Sequence, residues 1–453
     1  VDLDVIPFRI YREPEPEIDL LEGVVAVTDL SGEDYATAFE TLFDKTSREY
    51  PFTEDKGVDW QALHDTFSPR FAAADSFPEF YRALKDFTLA IPDGHIGVSF
   101  DPEVFFTDFG GSFGLVLAEL SDGRVIVQTV IAETTEGART PAAEVGIQPG
   151  AEILEWDGQP VGQALDAVEP FIGPHSTSHG KRLMQLVFLT RDPVETTVSV
   201  RYRNLGGSPQ EADLTTIVDY DSLFAAFPDF SYDSFALPVE AEVLDESGLG
   251  YVRVTTFSED YNLMARLWEF HMTQLIDAEV PALIIDVRNN GGGNGGLATD
   301  FAGYFFDESL VLSQRLYYSE TTGAFEAQGV PARLEPAPFQ FDGPVAVLVG
   351  PNCASACEGF AHAMSQGGRA IVVGHAPSAG LYGEVGRGQY TMPGDLSLQF
   401  PTGRPETPDG DLLIEGVGVV PDILVPVTYD SVMGTTDAVL QAAIDALLDR
   451  LGN

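Results

Sequence analysis

The chain has 453 residues, 44% of them apolar, which is more than one hydrophobic core usually serves, so two or three domains are expected. A count of 71 acidic against 24 basic residues gives a formal net charge of -47, which argues against nucleic acid or an anionic membrane as partner. The acid is spread along the chain as a solvated surface, and lysine is confined to Lys45, Lys56, Lys85 and Lys181, a balance suited to high salt.

No apolar run approaches the roughly eighteen residues of a membrane span. The sequence starts at Val1 without a methionine or a basic-apolar leader, so a signal peptide is expected to have been removed or to lie outside it. "REPEPE" near the start reads as an extended tether. From about Leu20 to Leu89, "GEDYATAFETLFDKTSREYPF" and "DSFPEFYRALKDFTLAI" space apolar residues three and four apart, predicting a helical cap or lid. "PDGHIGVSF" then changes the pattern to a turn and a strand.

From Phe109 the text is β-rich. "GGSFGLVLAEL" and "AAEVGIQPGAEILEWDGQPV" resemble a PDZ domain, with Ser112, Phe113, Gly114 and Leu115 at the loop that holds a peptide's terminal carboxylate. A Phe/Tyr/Asp-rich connection follows near Phe227 to Leu237. Strands and helices then alternate: "GLGYVRVTTF", "EDYNLMARLWEFHMTQLI", "PALIIDVRNN", "GGLATDFAGYFF", "PVAVLVG", "RAIVVG" and "TDAVLQAAIDALLDRL". The pattern predicts a multidomain α/β protein whose core has a largely parallel sheet, with its site at the carboxyl ends of the strands. The expected division is 1–105, helical and ending in the His95 turn and strand; 106–205, PDZ-like; 206–240, a connection; and 241–453, the α/β core.

Three stretches carry candidate chemistry. In "PNCASACEGF", Ser355 stands where a strand turns into a helix, as an exposed nucleophile or as an ordinary helix cap. In "IIDVRNNGGGNGG", successive glycines let backbone N–H groups converge on an anion, as an oxyanion hole requires. A serine nucleophile needs a base, and because no lysine follows Lys181 a histidine is favoured. His362 lies two helical turns beyond Ser355, roughly 10 Å along the axis, too far for a hydrogen bond. His375 and His95 remain open as bases, while His64, His175, His179 and His271 read as surface or core residues. Cys353 and Cys357 read as two buried thiols, or as a disulfide if Cys353 lies in the turn before the helix. No Cys/His cluster for a metal is visible, and no cofactor is expected.

Together "GYVRVTTF", "LIIDVRNNGGG", "PNCASACEGFAHAM" and "IEGVGVVPDILV" resemble peptidase family S41, the C-terminal processing or tail-specific proteases, over most of the chain. The resemblance implies a ClpP/crotonase-like core and a nucleophile at Ser355, with Glu358 at the family's glutamate position. The branch with a catalytic lysine carries it in a Phe-Gly-Lys-Gly stretch, where this chain has Gly380 in "VVGHAPSAGLYG". The branch similar to the tricorn protease core carries its base in an Asp-x-His stretch, matched by "PDGHIGV", and a glutamate matched by Glu415 in "EGVGVVPD". That branch also has a serine just before the histidine, replaced here by Gly94.

The resemblance thus implies a serine endopeptidase acting on unfolded or C-terminal segments of proteins, outside the cytoplasm. Ser355 is the expected nucleophile, His95 the base, and Glu415 the group that orients it. Backbone N–H groups of Gly291 or Gly292 and of Ala356 are the expected oxyanion hole. The alternative is a catalytically inactive S41-like protein that binds peptides or hydrophobic ligands.

Overall fold

Aspartates start the first two helices. The carboxylates of Asp34 and Asp59 accept first-turn N–H groups of α1 (Tyr35–Glu49) and α2 (Trp60–Ala73), and α3 (Phe77–Leu89) follows with a proline in its first turn. Their apolar faces meet in a phenylalanine-rich core in which Phe39 stacks on Phe71 at 4.1 Å between ring centroids. The computed structural model describes residues 27–227, 236–434 and 436–452; the "REPEPE" tether and most of the aromatic connection lie outside them.

The floor under these helices comes partly from the other end of the chain. Thr28–Asp29, Gln389–Met392, Leu396–Gln399 and β1 (Gly97–Val98) pair in that order, and Tyr390, Met392, Leu396 and Leu398 join the helical core. The segment 389–400, expected to belong to the α/β core, is therefore built into the amino-terminal region. This pairing also fixes the His95 turn, since β1 begins two residues after it and Gln399 Nε2 donates to the His95 carbonyl at 3.0 Å.

The PDZ-like region is an antiparallel sheet of β2 (Leu115–Glu119), β3 (Val125–Val130), β4 (Glu152–Trp156), β5 (Thr197–Arg203) and β6 (Gln210–Thr215), ordered β6-β5-β4-β3-β2. It has its own core around Phe113, Val127, Ile153, Val200 and Leu214. Strand β2 is the sheet's edge, and α4 (Ser178–Phe188) and α5 (Asp221–Ala226) both pack against it.

In the third region β7 (Val239–Val243) runs antiparallel to β8 (Gly250–Val254), and β9 (Leu283–Asp286), β10 (Val345–Val349), β11 (Ala370–Gly374) and β12 (Ile423–Leu424) follow in parallel. The largely parallel sheet is as expected. Strands β9 and β10 are buried on both faces, which is why they read as unbroken apolar runs. Leu283, Ile285 and Val347 face α6 (Tyr261–Asp277), α7 (Gly295–Ala302) and α8 (Ala356–Ser365). Ile284, Ala346 and Leu348 face α9 (Ala438–Leu451). Because β9 and β10 are neighbours, the glycine loop after one and the Ser355 turn after the other emerge side by side.

Candidate active site

Ser355 occupies the last position before α8 with φ 57° and ψ -117°, a left-handed conformation that an L-residue adopts at a cost of about 1–3 kcal/mol. The surroundings hold it there. Its N–H is shared between the Leu381 carbonyl at 3.1 Å and Glu358 Oε2 at 3.0 Å. Cys353 and Cys357, on either side, form a disulfide with Cα atoms 5.5 Å apart, the pairing that becomes accessible because Cys353 sits in the turn and not in the helix.

Glu358 is fully buried and acts as a hub. Its Oε1 accepts from Ser378 Oγ at 2.6 Å and Gly380 N at 2.7 Å, and its Oε2 from Leu381 N at 2.8 Å as well as from Ser355. Burial pushes this carboxyl up to about 8, against the four donors that favour its anion. Gly380, which stands where the lysine branch has its base, spends its N–H on this carboxylate.

The glycine loop presses on the same turn. A Cβ on Gly292, whose φ is +96°, would lie 2.5 Å from the Ala354 carbonyl oxygen and 2.8 Å from Ser355 Cβ, so only glycine fits. The Gly292 N–H is donated to Asn290 Oδ1 at 2.9 Å. Gly293, rather than Gly291 or Gly292, lines a cleft of about 390 Å³ together with Ser355 and Ala356.

His95 gathers with Asp93 and Glu415, one nitrogen or oxygen from each lying within 4.8 Å of the others. Such a set has the spacing of a metal site, but Lys56 already supplies the cation. Its Nζ lies 2.9 Å from Asp93 Oδ2 and 2.5 Å from Glu415 Oε1, with the lysine side chain 8% exposed and both carboxylates fully buried. Tyr50 donates to Asp93 Oδ2 at 2.8 Å, and Asp93 Oδ1 accepts the His95 N–H at 2.9 Å. Burial lowers the His95 pKa, Asp93 opposing and Lys56 adding to the shift. Burial and then Asp93 raise that of Glu415, with Lys56 opposing.

Glu415 does not hold His95 as a simple triad carboxylate would. Its Oε1 takes Lys56 and the Ser176 hydroxyl, and its Oε2 takes the N–H groups of Tyr382 and Gly383 at 2.7 and 2.8 Å. His95 Nδ1 is buried without a hydrogen-bond partner among the described residues. A serine hydroxyl reaches this turn from elsewhere in the chain: Ser176 Oγ accepts the Gly94 N–H at 3.0 Å and donates to Glu415 at 2.9 Å. A Cβ at Gly94 would overlap the end of the Leu381 side chain, which would have to move to admit it. Leu381 therefore touches both halves of the site, its carbonyl on the Ser355 N–H and its side chain on the residue before His95.

The other candidates lie elsewhere. His375 Nδ1 contacts the Val425 carbonyl at 2.8 Å in a separate cavity with Arg288 and Asp437, and His362 pairs with Gln366. In the PDZ-like loop Ser112, Phe113, Gly114 and Leu115 are buried, and the loop is occupied from within the chain. Ser112 Oγ meets Ser222 Oγ of α5 at 2.9 Å and accepts the Gly114 N–H at 3.1 Å, while Arg191 donates to Ser222. The sequence reading missed Lys56, Asp93, Ser176 and Tyr50; the one available signal was a lysine in a chain that has only four.

A strained serine at the carboxyl end of a parallel strand, beside a histidine–carboxylate cluster, is the layout of the serine hydrolase class. Residues 248–425 match peptidase family S41, and residues 31–88 match the tricorn protease C1 domain. The likeness to peptidase family S41 is thus carried by the α/β region. The carboxyl-terminal-processing protease of Synechocystis sp. is 27% identical over 320 residues, 68% of this chain and 63% of that protein. The one of Picosynechococcus sp. is 29% identical over 223 residues, 48% of this chain and 50% of that protein. The chain thus spans between half and about two thirds of the length of these relatives. Among solved structures, mature CPAF superposes with a TM-score of 0.66 at 16% identity, over 93% of this chain and 98% of that one, which shows the shared fold.

Two substitutions probe the scaffold. Glu358→Gln turns an acceptor into a donor facing N–H groups, and denaturant unfolding is expected to show a loss of about 1–3 kcal/mol. Gly94→Ser is expected to slow fluorophosphonate labelling of Ser355 because the new side chain displaces Leu381; faster labelling would contradict this packing.

Proposed function

We propose that the chain is a serine endopeptidase that hydrolyses peptide bonds in unfolded or C-terminal segments of proteins by acyl transfer. The observation that carries this reading is the convergence of the Ser355 turn and the His95 turn on Leu381. His95 removes the Ser355 proton as Oγ attacks the scissile carbonyl; the tetrahedral intermediate collapses as His95 returns the proton to the leaving amine. Water, deprotonated by His95, then attacks the ester and releases the acid. Glu415 acts on the imidazolium through space, since its own hydrogen bonds go to Lys56, Ser176 and the 382–383 backbone.

The Ala356 N–H, at the start of α8 and beside the glycine loop, is the oxyanion donor we assign, with Gly293, which lines the cleft, supplying the second in place of Gly292, whose N–H is donated to Asn290. Loss of one such donor typically costs about 10²- to 10³-fold in rate. The preference for C-terminal segments is supported by the activity in the names of the two cyanobacterial relatives. It is supported further by Arg315 and Arg333, which line the cleft and offer cations to a substrate carboxylate, with Glu384 opposing them. An extracytoplasmic location is supported by the Cys353–Cys357 disulfide, a bond kept in oxidising compartments. No helix of the described residues is long and apolar enough to cross a membrane.

A fluorophosphonate probe tests the assignment. Labelling of the wild type that is abolished in Ser355→Ala and reduced at least about 10²-fold in His95→Ala is the expected result. A folded wild type that is not labelled points instead to the non-catalytic binding protein. The pH profile tests the base. Because burial lowers the His95 pKa, kcat/KM should hold down to a pH below the ordinary histidine value of about 6.5 and fall only as the imidazole takes its proton.

A further inference from the structure

Lys56 has no part in the reaction proposed above, yet it is the cation at the centre of the site. It lies in the turn between α1 and α2, and its side chain leaves the helical region to reach two carboxylates set in other parts of the chain. Its ammonium rests on the Phe52 ring at 5.1 Å to the centroid, and its three protons have three acceptors: Asp93, Glu415 and, at 3.3 Å, Ser176 Oγ. With all three spent as donors, Nζ has no lone pair to offer the Ser355 hydroxyl, so Lys56 is not a substitute base.

Without it, two buried carboxylates within 4.8 Å of each other would face one another uncompensated, and one would have to take up a proton or turn away. The charged and titratable groups facing His95 are Asp93, Glu415, Lys56 and, behind Asp93, Tyr50. Glu415 is also the anchor for the N–H groups of Tyr382 and Gly383, one residue beyond the Leu381 carbonyl that holds Ser355. A shift of Glu415 is therefore felt at both the base and the nucleophile.

We propose that Lys56 is a positioning residue: its buried amine group, bridging Asp93 and Glu415, holds the two carboxyl groups in register beside His95 while His95 takes and returns the Ser355 proton. The proposal rests on the peptidase reading. It implies that the helical region, whose match is to the tricorn protease C1 domain, contributes a working part of the site.

The test uses the full chain as wild type, Lys56→Ala, Lys56→Met, Glu415→Gln and the Lys56→Met/Glu415→Gln pair, each checked for folding by circular dichroism. Lys56→Met keeps the stem volume and serves where Lys56→Ala does not fold. Both single lysine variants are expected to lose about 10²- to 10³-fold in kcat with KM within about threefold, and to be labelled more slowly by fluorophosphonate. Ethylamine is expected to restore at least about tenfold to Lys56→Ala by filling the vacated site, and not to affect Lys56→Met, whose stem blocks it. The double variant is expected to be no slower than Lys56→Met, because the lysine acts through Glu415. Folded lysine variants with wild-type kcat, a loss confined to KM, multiplicative losses in the double variant, or no amine rescue of a folded Lys56→Ala would each overturn the proposal. A wild type that is not labelled removes the peptidase reading and this proposal together, whereas a labelled wild type with unimpaired lysine variants removes only the latter.

Discussion

Four consecutive backbone N–H groups, from Gly380 to Gly383, are each donated to a buried carboxylate: the first two to Glu358 and the last two to Glu415. This clamp is the constraint on which the site depends. Glu358 belongs to the helix that follows Ser355, and Glu415 to the cluster around His95, so the short loop between them ties the Ser355 turn to the His95 turn. A buried carboxylate is costly unless its lone pairs are filled, and each of these two has four donors on it. The loop is thus held by acids that could not remain buried without it.

The same arrangement explains how Ser355 keeps an unfavourable backbone conformation. A positive φ at a serine survives only where neighbours over-determine it. Here the determinants come from different directions: Glu358 from the helix, Leu381 from the clamped loop, Gly292 from the adjacent strand's loop, and the disulfide across the turn itself. The chain's large excess of acid is mostly a property of its surface; in the interior, Glu358 and Glu415 are each satisfied by four donors and serve as scaffolding.

Much of this was legible in the sequence, and the rest was hidden for physical reasons. The parallel strands could be read because burial on both faces leaves uninterrupted apolar runs such as "VAVLV". Ser355, His95 and Glu415 could be singled out as candidates because they sit in short stretches with a mechanism attached. Lys56, Asp93 and Ser176 could not, since a polar residue in a turn carries no periodicity and its meaning lies in a partner far along the chain. Gly94 was visible, but the Leu381 side chain packed against it is a contact in space. The occupant of the PDZ-like loop was concealed likewise, because α5 lies in a connection that has no strand or long-helix pattern of its own. Whether the cysteines pair turned on one residue's side of a helix boundary, which is where sequence patterns are least exact.

Lys56 and Glu415 are separated by 359 positions, and the Gln389–Met392 and Leu396–Gln399 strands complete the region that begins with α1. Long-range closure of this kind carries a consequence for synthesis. A chain emerging from the ribosome can form its first helices and its PDZ-like sheet from local contacts, but the cluster around His95 waits for residue 415. A nascent chain is thus kept without this cluster by topology alone, until residue 415 has been made.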